Sequence, residues 1–384
     1  MDDATVGVYV HVPFCERICP YCDFAVVRAP TLAPEAEDRY VEALLRELEA
    51  RRGAFAGRRL ETLYLGGGTP SLFAPGSVAR LVAAVRAAFP GPAPQEVTIE
   101  ANPGSLERER LPGFRAAGVG RISVGIQSFH DPTLRRLGRA HRAEEGRRAL
   151  RACREAAFEA VSLDLILAAP GQTPELLAAD LEEALAFEPD HVSAYELTVE
   201  PGTPFALAQR RGQLALPDEE AAVRLLEQAE RVLEGAGLRR YEVSSYARPG
   251  REAIHNRRYW ERRPVLGLGM GAVSSDPPGP GQPYGARRAN PRALAAWLAG
   301  EGVEVEVIGA ASARGEAVFL GLREVAGLEA ARFAAEFGAP PRAFFAGPIA
   351  ELVAAGLLRE SAAGDLALTA RGRLLSDSVF THFV

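Results

Sequence analysis

Short runs dense in branched apolar residues alternate with longer amphipathic runs along the first two thirds of the chain. VGVYVHV, from Val6, opens the series, and LETLYLGGG, EVTIEANP, RISVGIQSF, VSLDLILAAP and HVSAYELTVE continue it. A helical stretch stands between each pair, the first being PEAEDRYVEALLRELEARR. Apolar runs of this length read as buried strands, and strand–helix alternation predicts a parallel sheet with right-handed crossovers. Six such units are expected.

A polar or glycine-rich signal sits at the C-terminal end of each strand: Cys15–Cys22, Gly66–Thr69, Glu100, Gln127, Asp164 and Glu196. From Gly66 the steps are 34, 27, 37 and 32 residues, each the length of one strand–helix unit. A βα barrel assembles its site from the C-terminal ends of several strands. A doubly wound sheet binds at one switch point instead. Any one of these side chains alone reads as a helix cap or turn residue. Six in step predict an α/β fold: an incomplete (βα)6 TIM-like barrel over residues 1–240.

Residues 241–309 are expected to connect, carrying YEVSSYARPG, HNRRYW and a loop rich in proline and glycine, DPPGPGQP. From 310 to 384, EAVFLGLREVAGL and IAELVAAGLLRE read as helices. GDLALTARGRLLSDSVF reads as a strand pair running into a last helix. This predicts a smaller, mainly helical, winged-helix-like unit.

Composition narrows the chemistry. The chain has 384 residues, with 44 basic and 50 acidic side chains and a net charge of −6. It contains no lysine. That removes a phosphate-binding GxxxxGK loop, a pyridoxal Schiff base and an amine nucleophile; arginine cannot replace lysine there, because its guanidinium does not deprotonate. The acidity argues against nucleic acid as a partner held by bulk positive charge. The opening MDDATVGVYV is acidic where a signal peptide is basic. No apolar stretch approaches the ~20 residues that span a bilayer. A cytoplasmic protein with no transmembrane segment is expected.

The four cysteines are Cys15, Cys19, Cys22 and Cys153. Three lie in HVPFCERICPYCDF, with the spacing C-x3-C-x2-C. Thiolates packed together repel one another unless a cation binds. A structural zinc site wants four ligands, and His11 is the only near candidate; alternation with Val10 and Val12 turns it away from their face. A cubane cluster normally takes four cysteines, but Cys153, in the helical run ALRACREAAF, reads as a small buried apolar residue. The economical reading is a [4Fe-4S] cluster on Cys15, Cys19 and Cys22 whose fourth iron is open to an exchangeable ligand. A zinc-stabilised barrel is the weaker alternative.

This cysteine spacing after the first strand, together with GGGTPS after the second, resembles the radical S-adenosylmethionine (SAM) superfamily. The resemblance implies that SAM chelates the open iron through its amino and carboxylate groups. It also implies that an electron from the cluster cleaves the sulfonium to methionine and a 5′-deoxyadenosyl radical. The consecutive glycines have a physical reason, since they let backbone approach a ligand closely.

The resemblance extends over nearly the whole chain to the coproporphyrinogen III oxidase-like group. Tyr9, His11, Gly67, Gly68, Thr69, Glu100 in IEANP, Gln127 in GIQSF, Arg139 in LGRAH and Asp164 in DLILAAPGQT carry it, with YELTVEPGT. By that resemblance Tyr9, Tyr21, Gly67, Gly68, Thr69 and Glu100 line SAM. Gln127, Arg139 and Asp164 line the same cavity or a second SAM. The chemistry agrees: carboxylates suit SAM's amine, hydroxyls and sulfonium, and the planar fork of Arg139 suits a carboxylate. For Arg139 and Asp164 a rim salt bridge is an equal reading.

Two features depart from the oxidases of this group. Phe24 stands where they carry another cysteine, and only 14 residues precede Cys15 where they carry a longer N-terminal segment. HNRRYW (His255, Asn256, Tyr259 and Trp260) instead resembles an HNxxYW signature of the group's haem-chaperone branch. YEVSSYARPG agrees with it, although Ser245 replaces a usual asparagine. This branch implies haem as a ligand and acceptor haemoproteins as partners, membrane-bound respiratory enzymes among them. His255 would then be an axial ligand, Tyr259 and Trp260 flat surface for a porphyrin, and Arg257 and Arg258 partners for propionates. A structural corner with His255 hydrogen-bonded is an equal reading. The alternative function is an oxidase-like radical SAM enzyme that decarboxylates porphyrinogen propionates.

Overall fold

The computed structural model describes residues 4–384. Six parallel strands lie side by side in chain order: β1 (Thr5–Val12), β2 (Arg59–Gly67), β3 (Glu96–Ala101), β4 (Arg121–Gln127), β5 (Ala160–Leu167) and β6 (His191–Glu196). Helices such as Pro34–Arg51, Pro75–Ala88 and Pro174–Ala186 cross between them. Burial on both faces makes the strand sequences near-continuously apolar. On β1, Val6, Val8, Val10 and Val12 join the apolar core. Gly7, Tyr9 and His11 alternate with them and face the barrel interior, where a Cβ on Gly7 would strike Arg258 and Thr62.

The expected six units are all present, and the sheet continues past them. Val265–Leu268 pairs parallel to β1 on its outer side, and Val273–Asp276, Ala286–Ala289 and Glu304–Val307 follow antiparallel. At the other edge, Ser245–Ala247 pairs antiparallel to β6. The barrel therefore stays open. Residues 241–309 are thus woven into the sheet, where a connector was expected. Their strands are three or four residues long, too short to show a period of two. Asp164 also differs from expectation: it lies inside β5, not at its end.

One segment closes the barrel's N-terminal end. The helix Ile254–Trp260 lies across the starts of the strands. Backbone N–H groups of Ile254 and His255 donate to Glu96, the first residue of β3 (3.0 and 3.1 Å). Arg121, the first residue of β4, donates to the Arg251 carbonyl at 2.9 Å. Arg258 is fully buried and reaches Thr5, Glu61 and the Pro264 carbonyl. This helix is the floor of the barrel.

The C-terminal unit has its own apolar core, including Val318, Leu322, Phe333, Ile349 and Leu366. Helices Ala310–Gly321, Ala330–Phe337 and Arg342–Ala354 precede the hairpin Leu358–Glu360/Leu366–Leu368, and short helices end the chain. The helix read in EAVFLGLREVAGL stops at Gly321, and GDLALTARGRLLSDSVF holds only the second strand of the hairpin, the first lying ahead of it at Leu358–Glu360. The unit docks on the floor side through Val243 N–H to the Arg323 carbonyl (3.0 Å), Val325 N–H to the Tyr241 carbonyl (2.9 Å) and ion pairs from Arg257 and Arg262.

Candidate cluster and SAM site at the barrel mouth

The cysteine loop leaves the C-terminal end of β1. Its base is pinned by a two-residue parallel pairing, Phe14–Cys15 with Val27–Arg28. A turn follows, with Cys22 N–H donating to the Cys19 carbonyl at 3.1 Å. His11 staples the far side of the loop. Its Nε2 donates to the Ala25 carbonyl at 2.7 Å, which leaves Nδ1 to accept from the Tyr9 hydroxyl at 3.0 Å. Both ring nitrogens are used, so His11 is no fourth ligand in this arrangement.

Cys15, Cys19 and Cys22 are free thiols at partly exposed positions, whereas Cys153 is buried. Burial pushes the Cys15 thiol up to about 11, and the nearby Cys22 and Cys19 add to that shift while the Thr69 hydroxyl opposes it. Burial raises the Cys22 thiol as well, and crowded thiols of this kind are what a cationic group relieves by taking them as thiolates. Among the described residues, no three Cys, His, Asp or Glu side chains converge as a single metal ion requires. A cubane cluster takes one thiolate per iron, and the loop carries three thiols near enough for Cys19 and Cys22 to act on Cys15. The donor set fits the cluster.

The glycine turn after β2 forms the next wall. Gly67 adopts φ +109°, and a Cβ there would run into the His11 ring at 2.4 Å. Its N–H donates to Glu100 Oε2 at 2.9 Å, and Tyr64 donates to Glu100 Oε1 at 2.7 Å. Burial raises the Glu100 carboxyl to about 7, which Tyr64 and Gly67 partly oppose. Gly68 N–H donates to the Val12 carbonyl at 2.8 Å. Thr69 turns its hydroxyl to Cys15 Sγ at 3.5 Å.

Arg139 reaches in from beyond β4. Its Nη1 donates to Cys19 Sγ at 3.6 Å and its Nη2 to the Gly125 carbonyl at 2.9 Å, while Nε is buried without a partner. Tyr21 lies against Cys19 and Arg139, its phenol raised by burial. Gln127 ends β4 with φ +67°, a left-handed backbone uncommon outside glycine, and the β4–β5 register shifts beside it. Asp164 accepts from Ser123 at 3.1 Å, and burial raises its carboxyl. An orphaned guanidinium nitrogen and the buried carboxyls of Glu100 and Asp164 are the complements of a zwitterionic ligand. These residues fit SAM's amino acid end.

A profile of the radical SAM superfamily matches residues 9–184, and one of the HemN C-terminal domain matches residues 313–375. The heme chaperone HemW of Bacillus subtilis is 33% identical over 385 residues, covering 98% of this chain and 99% of its own. The chain belongs to the HemW family of radical SAM proteins. The HemW of Escherichia coli is 39% identical over 267 residues, 70% of this chain and 69% of that one. The structure of the E. coli coproporphyrinogen III oxidase HemN, a radical SAM enzyme, superposes with a TM-score of 0.83 at 26% identity, covering 99% of this chain and 90% of that one. Membership brings a [4Fe-4S] cluster and SAM, and with them one-electron cleavage chemistry when both are bound.

The HNRRYW segment of this HemW-family chain is the floor helix. His255 is 1% exposed. Its Nδ1 meets Thr62 Oγ1 at 2.8 Å, its Nε2 meets the Tyr259 hydroxyl at 3.2 Å, and burial lowers it to about 3. It stacks on Tyr64 at 5.1 Å, and Tyr64 stacks on Tyr9 at 6.1 Å. Neither ring nitrogen is open to iron in this arrangement. Arg258 is engaged inside the barrel and Arg257 pairs with Glu324 at 2.9 Å, so neither offers a free guanidinium to a propionate. Trp260 has Arg323 over one face at 4.2 Å. Beneath the floor opens a cleft of about 1120 Å³, lined by Trp260, Arg262, Tyr284, Arg287, Leu320 and Arg332 among others.

Tyr64, Asn102 and Ser123 are site partners that the sequence reading passed over. Alternation was the available signal. Tyr64 is two before Gly66, and Asn102 two after Glu100, so each shares a face with a residue already singled out.

Proposed function

We propose that this chain is a haem chaperone: it binds haem and passes it to acceptor haemoproteins. The observation that carries this reading is the end-to-end match with the heme chaperone HemW of B. subtilis. Phe24, two thirds exposed beside Cys22, supports it, because the oxidases of the group carry a cysteine there. The acceptors we propose are respiratory haemoproteins, reached from the cytoplasm. Among the described residues no helix is long and apolar enough to cross a membrane.

The haem is placed in the cleft beneath the floor, against Trp260, in preference to ligation by His255. Ligand pockets run to about 300–1,000 Å³; this cleft is slightly larger and more charged, and it sets Trp260, Tyr284 and Leu320 beside arginines such as Arg287 and Arg332, which suit a flat ligand with carboxylates. The test is anaerobic haem titration of the reconstituted protein, followed by transfer to an apo-haemoprotein. Stoichiometric binding and transfer are expected. Trp260→Ala should weaken haem binding several-fold, while His255→Ala should leave the spectrum of the haem iron unchanged. Turnover of coproporphyrinogen III with methionine release would replace the chaperone reading with the oxidase one.

A further inference from the structure

We infer that Asn102 is a positioning residue that holds hydrogen-bond donors on two cluster cysteines and so sets the cluster's reduction potential. The inference rests on the cluster reading above. Asn102 stands just past β3. Its Nδ2 donates to Thr69 Oγ1 at 2.7 Å, and the Thr69 hydroxyl donates to Cys15 Sγ at 3.5 Å. Its Oδ1 accepts from Arg139 Nη2, and Arg139 Nη1 donates to Cys19 Sγ at 3.6 Å. One amide therefore bridges the donors of two different cysteines.

The direction of these bonds follows from the inventory of hydrogens. An amide nitrogen only donates, so Asn102 fills a lone pair of the Thr69 oxygen and leaves the single hydroxyl hydrogen for sulfur. The amide oxygen only accepts, so it holds the guanidinium fork at the angle that aims Nη1 at Cys19. An alkyl or carboxylate side chain at this position cannot do both. Gly125 makes room for the arrangement. A Cβ there would lie 3.2 Å from Asn102 Oδ1, 3.3 Å from Arg139 Nη2 and 3.0 Å from Gln127 Nε2.

Hydrogen bonds to the sulfurs are among the factors that set the potential of an iron–sulfur cluster. Donors stabilise the reduced, more negative state, so the Asn102 network holds the potential up. The test compares wild type with Asn102→Ala and Thr69→Val after anaerobic reconstitution. Iron and sulfide are quantified, and the potential is read by spectroscopic redox titration without SAM. Wild type without iron and sulfide would sink the cluster reading itself. With the cluster present, Asn102→Ala is expected to shift the potential to more negative values, and Thr69→Val to shift it the same way by less, since it removes the Cys15 donor alone. A full cluster at unchanged potential in Asn102→Ala overturns the inference. If Asn102→Ala assembles no cluster, Thr69→Val decides: an unmoved potential there overturns it as well.

Discussion

At the scale of single residues, burial is the main lever on charge in this site. Glu100 carries a testable consequence. Its folded pKa, raised to about 7, lies above the value near 4.5 that it takes when unfolded. A raised carboxyl contributes stability that is complete below the unfolded value and lost as pH rises through the folded one. Urea unfolding of the apo-protein should therefore show Glu100→Gln gaining on wild type between pH 5 and pH 8, by up to about 3 kcal/mol. An equal difference at both pH values would mean that Glu100 is not held neutral by burial. The cysteine loop was legible in the sequence from its spacing, while the glycine turn and Glu100 were singled out by their place at strand ends and by resemblance. His255 was legible only as a motif. That its two nitrogens face Thr62 and Tyr259 depends on which strand ends the helix crosses, and no local pattern encodes that.

At the scale of elements, the floor helix shows the same division. The six barrel strands were readable because both of their faces are buried and their apolar runs are unbroken. The floor and the four strands that extend the sheet beyond β1 carry mixed sequences such as ARRA and EVEV, whose placement comes from tertiary pairing. The floor is held by charge inside the barrel. Arg258 is 0% exposed on its side chain and pairs with Glu61, which Arg263 also meets at 2.9 Å. Removing one partner of a buried pair typically costs about 3–5 kcal/mol, because the other charge is stranded. Arg263 remains to cover Glu61, so Arg258→Ala should lose about 3 kcal/mol in denaturant unfolding. A loss below 1 kcal/mol would show that the helix is held by packing alone.

At the scale of the whole molecule, two apolar cores meet across a polar seam. Arg262 crosses it to Glu316 at 3.4 Å and Glu336 at 2.6 Å, and Arg287 reaches Glu316 at 2.8 Å. Seams of this kind open more readily than cores. Hydrogen exchange should show Arg262→Ala raising the opening of residues 310–384 about tenfold, equivalent to ~1.4 kcal/mol, with β1–β6 unchanged. Uniform loss of protection would mean that the two units unfold as one.

The closed floor also governs traffic. Arg258, His255 and Tyr259, packed across the strand starts, stand between the cleft and the cysteine loop. SAM and the electron donor then come by the mouth or the open side of the sheet, on the other side of the floor from the cleft. Cargo seated beneath the floor would lie off those routes. The chain could then stay loaded while its cluster is being recharged, with loading and reduction kept apart by a single seven-residue helix.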